Sequence, residues 1–474
     1  MIGTCAKPAR SIRLRPLAAG LSALLALEQT PVLASTLYVN SCDDSPSAIS
    51  TVGTLRYSVA TAGPGDTINL SSVPALTSSC PTSTITLLQG QLTVSQTSLT
   101  FVGSAVSPVT ISGNDNYRVI DHPGTGTLSI NYLTIAHGKY MNEQANGGCI
   151  RSTGTVSLNH STVASCMAKQ SSGANTHATA QGGGIWASGG GVVLTSSIVS
   201  GNKLDASGDP NSAGTYGGGV FTTGYLQMNY STINANTVVP LAGAHQGQGG
   251  GAYVIGKLVI KNSTISNNYN VLVGGILQSG GAATVVNILN STISGNESSL
   301  TLPSAIGVGG LQTSGSTALI SNSTIAANRG HWVGGVKAGD LALESSIIAN
   351  NSVTTAGGAA DLLITSTWSG ANNLVMLSNG ASVPPGTLTA DPNLCPLANH
   401  GGATRTHALL SSSPVIAMGN NPGFPPASYD QRGPGYQRTD VSGLSSWTDI
   451  GAYQVQLTNE DEIFCDGNGP LPDR

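Results

Sequence analysis

The chain has 474 residues, of which only 8% are charged and 4% aromatic, while 62 are glycine. Lys and Arg number 18 against 22 Asp and Glu, a net charge of −4, which excludes the basic field that nucleic acid or anionic lipid requires. So few charges are unusual for a compact globular enzyme. They suit a solenoid, whose stacked strands satisfy the backbone and whose outside is covered by small polar side chains.

Residues 1–34 have the pattern of a secretory signal. Lys7, Arg10, Arg13 and Arg15 give the positive region, Leu17 to Leu27 the apolar stretch, and Val32-Leu33-Ala34 the small-residue cleavage site. The apolar stretch is too short to span a bilayer permanently, so the expected mature chain starts at Ser35 and carries no integral membrane segment. Residues 35–120 should form an N-terminal cap and the first coils. Thr36–Val39 and Thr67–Leu70 read as strands, and Thr54–Thr61 as a short helix ended by Gly63-Pro64-Gly65.

Residues 121–380 carry eight copies of one phrase. It runs from Leu128 to Ile135, then Val156 to Val163, Val192 to Val199, Leu226 to Ile233, Leu258 to Ile265, Val286 to Ile293, Ala318 to Ile325 and Leu341 to Ile348. Aligned on the last apolar residue, the copies are spaced by 28, 36, 34, 32, 28, 32 and 23 residues. The phrase alternates apolar and polar residues, as a strand with one buried face does. The shortest interval resembles one turn of a parallel β-helix, and the longer ones that turn plus an inserted loop. The expected fold is therefore all-β: a right-handed parallel β-helix of about ten coils, with a cap at each end to cover unpaired strand edges.

Three residues past the aligned position stand Asn202, Asn236, Asn268, Asn296, Asn328 and Asn351. In stacked coils they share one bend about 4.8 Å apart, so each amide can donate to the next as an internal ladder. The first two repeats have Gly138 and Cys166 there instead. Setting aside Cys5 in the signal, six cysteines remain, an even number that suits disulfides in an exported chain. Fifteen pairings are possible. Cys42–Cys80, Cys149–Cys166 and Cys395–Cys465 each keep both partners in one region, and no Cys-x-x-Cys suggests a metal.

A second strand, announced by glycines, precedes each phrase. If its residues Ile185, Val220, Ala252, Ile276, Leu311 and Val336 point inward, then Trp186, Phe221, Tyr253, Leu277, Gln312 and Lys337 point outward, with Ile150 before them. Trp186, Phe221 and Tyr253 would form a stacked platform of the kind that takes sugar rings. Alternatively the preceding loops, which hold His177, His245, His331 and Trp332, fold over the column and bury it.

The segments Leu37-Tyr-Val-Asn-Ser-Cys-Asp-Asp44, Gly53-Thr-Leu-Arg-Tyr-Ser-Val59 and Gly63-Pro-Gly-Asp-Thr-Ile68 resemble the opening of bacterial surface β-helix proteins with the CSLREA motif. Leu55 and Arg56 match, while Gly53 stands where the motif has Cys. Residues 381–474, through Gly401-Gly402-Ala-Thr-Arg-Thr-His407, Asp430-Gln-Arg-Gly433 and Asp449-Ile-Gly-Ala-Tyr453, resemble the choice-of-anchor Q domain. Ala417-Met418 and Gln454 depart from it. The resemblance implies an exported β-helix at the bacterial cell surface and brings no activity with it. His407, Asp430, Arg432 and Asp449 belong to the capping domain in that family, and here they are expected to tie the cap together through buried hydrogen bonds and ion pairs.

The leading expectation is a secreted or surface-displayed scaffold, adhesin-like or binding an extracellular polysaccharide or host-surface polymer, monomeric and without a cofactor or metal. The alternative is a polysaccharide lyase or glycoside hydrolase. That chemistry needs acidic groups clustered for calcium or paired across a bond, yet Asp205, Asp209, Glu297, Glu344, Asp340 and Asp361 fall out of register.

Overall fold

The computed structural model describes residues 3, 34–73, 80, 82–171, 179–207, 214–239, 247–281, 283–299, 307–315, 317–379, 382–422, 426–439 and 448–456. The signal segment therefore lies outside the described residues, as do Asp209, Cys465, and the loop residues His177 and His245. No helix among the described residues is long and apolar enough to cross a membrane.

The chain is a right-handed parallel β-helix. Every strand pair within its five sheets is parallel, and three sheets of 12, 11 and 11 strands run the length of the coils. Crossovers between parallel neighbours run right-handed for reasons of strand twist. In one representative coil, Ile150–Ser152 lies on the third face, Thr155–Asn159 on the first and Thr162–Ala164 on the second, and Met167–Gln170 begins the return. The aligned apolar residues stack as expected: Ile135, Val163, Val199, Ile233, Ile265, Ile293, Ile325 and Ile348 are direct partners on successive coils. The same column extends upstream to Ile111 and Ile85 and downstream to Val375. These side chains are almost fully buried and belong to one continuous core.

One expectation is corrected. The repeated phrase is two strands, not one. Its fifth residue turns left-handed in every copy: Tyr132, His160, Ser196, Tyr230, Asn262, Asn290, Asn322 and Ser345 have φ between 46° and 57°. The chain bends there, so the buried positions step from Ile130 to Leu133 rather than to an even offset. Asn tolerates this conformation better than most residues, which explains its recurrence at the clearest copies.

Two ladders fix the corners. Asn202, Asn236, Asn268, Asn296, Asn328 and Asn351 are linked by Nδ2 to Oδ1 bonds of 2.9 Å each. The column is closed at one end by the Cys166 amide, which donates to Asn202, and at the other by Asp361, which accepts from Asn351 at 2.8 Å. Cys166 is bonded to Cys149, with Cα atoms 5.4 Å apart. Gly138 holds the ladder position above, where a Cβ would lie 2.5 Å from the Cys149 sulfur. The second ladder is of serines. Each of Ser161, Ser197, Ser231, Ser263, Ser291 and Ser323 donates its N–H to the hydroxyl of the serine one coil on, ending at Ser346.

At the N-terminus, the helix Leu55–Thr61 is capped by Thr54, which accepts from the Tyr57 amide, and buries Leu55 and Val59 in the core. Arg56 grips both oxygens of Asp44 at 2.7 and 2.9 Å and also donates to the Gly90 carbonyl. A disulfide joins Cys42 to Cys80. At the other end, Leu388 pairs with Leu374 on the last coil. The chain then turns back along the second face. Thr264, Thr292, Thr324 and Ile347 form one outward column there. Gln431 bonds to both Thr264 and Thr292, the Ala452 amide donates to Thr324 at 3.0 Å, and Ile347 packs with Leu409, Val415 and Ile450. The C-terminal segment is thus a lateral buttress as well as a cap. Cys395 within it is disulfide-bonded.

Removing one ladder side chain leaves its neighbours' buried donors unpaired. Asn268→Ala should cost about 3 kcal/mol of unfolding free energy, read by denaturant titration, whereas Asn267→Ala at the exposed left-handed corner should cost less than half of that. Equal losses would contradict the ladder account.

Candidate functional site

The third face carries one outward column in continuous register: Asp121, Arg151, Trp186, Phe221, Tyr253, Leu277, Gln312, Lys337 and Leu363. Trp186, Phe221 and Tyr253 therefore sit on adjacent coils. The residue before Trp186 is Arg151, not Ile150. Ile150 pairs with Ile185 and points inward. The frame shifts because Gly147-Gly148 matches Gly182-Gly183, which leaves Cys149 opposite Gly184.

The three rings differ in exposure. Phe221 is 2% exposed. It lies 6.5 Å from Trp186, nearly parallel to it, and 5.8 Å from Tyr253. Trp186 and Tyr253 remain partly exposed. A fourth ring, not anticipated from sequence, completes the group. Tyr216 ends the short strand Gly214–Tyr216 and stacks on Tyr253 at 5.2 Å. It belongs to a second column with Asn146, Gln181 and Gln248, raised by the longer coils. Gln181 accepts from the Trp186 indole at 2.7 Å. The two columns meet at a corner, so the described parts of the loops wall the aromatic column rather than cover all of it. A pattern did mark this second wall: a polar or aromatic residue, Asn146, Gln181, Tyr216 or Gln248, stands just before each of the first four glycine runs, and valine before the later three.

The corner opens into a groove of about 430 Å³ lined by Gln248, Tyr253, Leu277, Gln312 and Lys337 among others. Val273, Val308, Val333 and Ala359 form an apolar shelf beside it, with Trp332 partly buried against them. His331 bonds to Thr354 and Thr355 instead of facing the groove residues. At the far end of the column, Arg151 pairs with Asp121 at 2.9 Å, a carboxylate it shares with Arg118 at 3.7 Å, and lies 5.2 Å from the Trp186 ring.

The other carboxylates weighed from sequence are scattered. Asp205 pairs with Lys203, Glu297 with Arg329, Asp340 accepts from Thr367, and Asp361 ends the asparagine ladder. Burial raises the Asp361 carboxyl above its usual range. Among the described residues no three His, Cys, Asp or Glu side chains are grouped so as to hold a metal.

The residues of the C-terminal motif sit inside the buttress. Asp430 is fully buried and accepts from Arg432 at 2.7 Å and from the Gln454 amide at 2.8 Å. The Arg432 guanidinium is sandwiched between Tyr436 and Tyr453, 3.8 Å from each ring centre. Asp449 accepts from the Ala417 and Val455 amides. His407 bridges the buttress to the solenoid, with one ring nitrogen 2.6 Å from the Cys395 carbonyl and the other 2.8 Å from the Ser294 hydroxyl. Gln431 and the wholly buried Arg438, whose guanidinium faces Asp430 and Asp449, were not singled out from sequence.

Two outcomes follow from this geometry. Phe221→Ala should cost about 3 kcal/mol through a cavity, and Trp186→Ala only about 1 kcal/mol, by thermal or denaturant unfolding; the reverse order would contradict the assigned burial. The second concerns pH. Burial holds His400 at about 4, against an ordinary 6.5, and lowers His407 as well. Both are neutral when folded and take up protons on unfolding, so the stability they contribute is complete above about pH 6.5 and is lost progressively toward about 4. Asp449 and Asp361 act oppositely, because burial raises them; their contribution is full below the usual carboxylate range and falls as pH rises through the folded values. Unfolding free energy should therefore decline on acidification between about 6.5 and 4, and less steeply in His400→Gln. An unchanged slope in that variant would contradict the assignment.

No family model matches the chain, and no curated protein does. Among solved structures, the crystal structure of pectate lyase Pel9A is similar over 89% of this chain and 97% of that one, with 12% identity and a TM-score of 0.46. At that level the likeness carries no argument about what this chain binds or does.

Proposed function

We propose that the chain is a secreted or cell-surface scaffold that binds an extracellular polymer along its third face. One observation carries the reading: partly exposed Trp186, Tyr216 and Tyr253, backed by buried Phe221, line a corner that continues into an open groove. Aromatic faces held rigidly at the rung spacing suit the apolar faces of sugar rings. Polar amides beside them supply orienting hydrogen bonds, as in carbohydrate-sized clefts generally. Export is supported by the disulfides Cys42–Cys80 and Cys149–Cys166, which belong to an oxidising compartment. The signal pattern of residues 1–34 and the resemblance of both end segments to surface β-helix proteins support the same reading.

The test is a glycan array probed with the chain from residue 35 onward, followed by affinity measurement on any hit. Trp186→Ala is expected to weaken binding by about 1 kcal/mol, roughly fivefold in Kd, with the fold intact. Binding that is indifferent to both Trp186→Ala and Tyr253→Ala would contradict the site. Release of unsaturated or new reducing ends from a bound glycan would replace the scaffold reading by the enzymatic one.

A further inference from the structure

We propose that the polymer is an acidic glycan, lying along the third face with a sugar ring against Tyr253 and an acidic substituent seated on the Lys337 ammonium. This rests on the polymer-binding reading and adds the chemical class of the ligand.

Among the described residues, Lys337 is the one charged side chain lining the groove. From Trp186 to Leu363, every other residue of the outward column is aromatic, aliphatic or an amide. Among the described residues no carboxylate lies within salt-bridge distance of Lys337, whereas Arg151 has Asp121, Lys203 has Asp205 and Arg329 has Glu297; Lys257 and Lys261 also lack one but are exposed to solvent outside the groove. Lys337 is nonetheless half-buried, and that burial lowers its pKa from the ordinary 10.5. A partly desolvated ammonium without a counter-ion is unfavourable and is relieved by an anion brought into the groove.

Geometry then sets the ligand's length. Tyr253 and Lys337 are separated by three rungs of the same column, about 14 Å at strand spacing. Gln312 lies between them and offers an amide to hydroxyls. A pyranose unit is of similar length to one rung, so an extended chain of a few sugars can place one ring on Tyr253 and present its acidic group at Lys337. Arg151 cannot serve in the same way, because Asp121 already occupies it.

The test is calorimetric titration of the intact chain with three oligosaccharides of equal length: a carboxylated oligouronate, a sulfated glycan and a neutral glycan. An acidic glycan is expected to bind more tightly than the neutral one, with affinity falling as ionic strength rises. Lys337→Gln should lose about tenfold in affinity for the acidic ligand and leave the neutral one unchanged, while Lys337→Arg should retain most of it. Preference for the oligouronate assigns the anion as carboxylate and preference for the sulfated glycan assigns it as sulfate ester; either supports the proposal. Neutral glycan binding as tightly as acidic, with Lys337→Gln indistinguishable from the native chain, would overturn it while leaving the polymer reading standing. Failure of all three, and of a wider array, would overturn the polymer reading itself. Lys337→Gln should melt no lower than the native chain, so loss of fold does not confound the result.

Discussion

Everything in this molecule depends on paying for the corners of the coil. Flat strands pair with the coils above and below and need nothing else, but each bend points amides inward, away from water, and a buried unpaired donor costs about 1–3 kcal/mol. The chain meets this with side chains rather than solvent. Serines accept the amide at the bend between the first and second faces, and asparagines accept at the next. Both ladders need identical registration of every coil. They therefore fix the rung spacing and with it the spacing of whatever the faces display.

Fixed registration makes the outside available for function. The first and second faces and the bend between them keep one shape through the repeats, and the buttress covers part of the second through threonines and Ile347. The longest insertions lie in the return, between the asparagine corner and the glycine turn, with a smaller one between the strands Ile276–Ser279 and Val286–Leu289. The third face lies directly after the return, so its outward column gains a wall at Gln181, Tyr216 and Gln248, beside the rings, while the returns before Leu277 and Lys337 are short.

Much of this was legible in the sequence because repetition makes it so. The period, the apolar column and the asparagine ladder follow from residues recurring at constant offsets, and the disulfides Cys42–Cys80 and Cys149–Cys166 from pairing cysteines that lie in one region. The left-handed corner was written there too, in the step of three from Ile130 to Leu133, but period-two alternation on either side disguised it. The register at Ile150 is hidden because Cys149 takes the place of the third glycine, so that Gly148 lies opposite Gly183 rather than Gly184. Side-chain depth was not legible: Phe221 and Tyr253 occupy the same column, and only the neighbouring strand, with Tyr216, separates buried from exposed. The buttress was invisible for a different reason. Its bonds join residues more than a hundred positions apart, such as Gln431 with Thr264 and His407 with Ser294, and no local pattern encodes such a pairing.

The most direct measurement is a crystal structure of the mature chain with an acidic oligosaccharide. The account predicts an extended ligand parallel to the solenoid axis on the third face, a ring stacked on Tyr253 and its anionic group at the Lys337 ammonium. Ligand bound instead in the 510 Å³ cleft between the buttress at Arg405 and the second face at Thr232, with the third-face groove vacant, would contradict it.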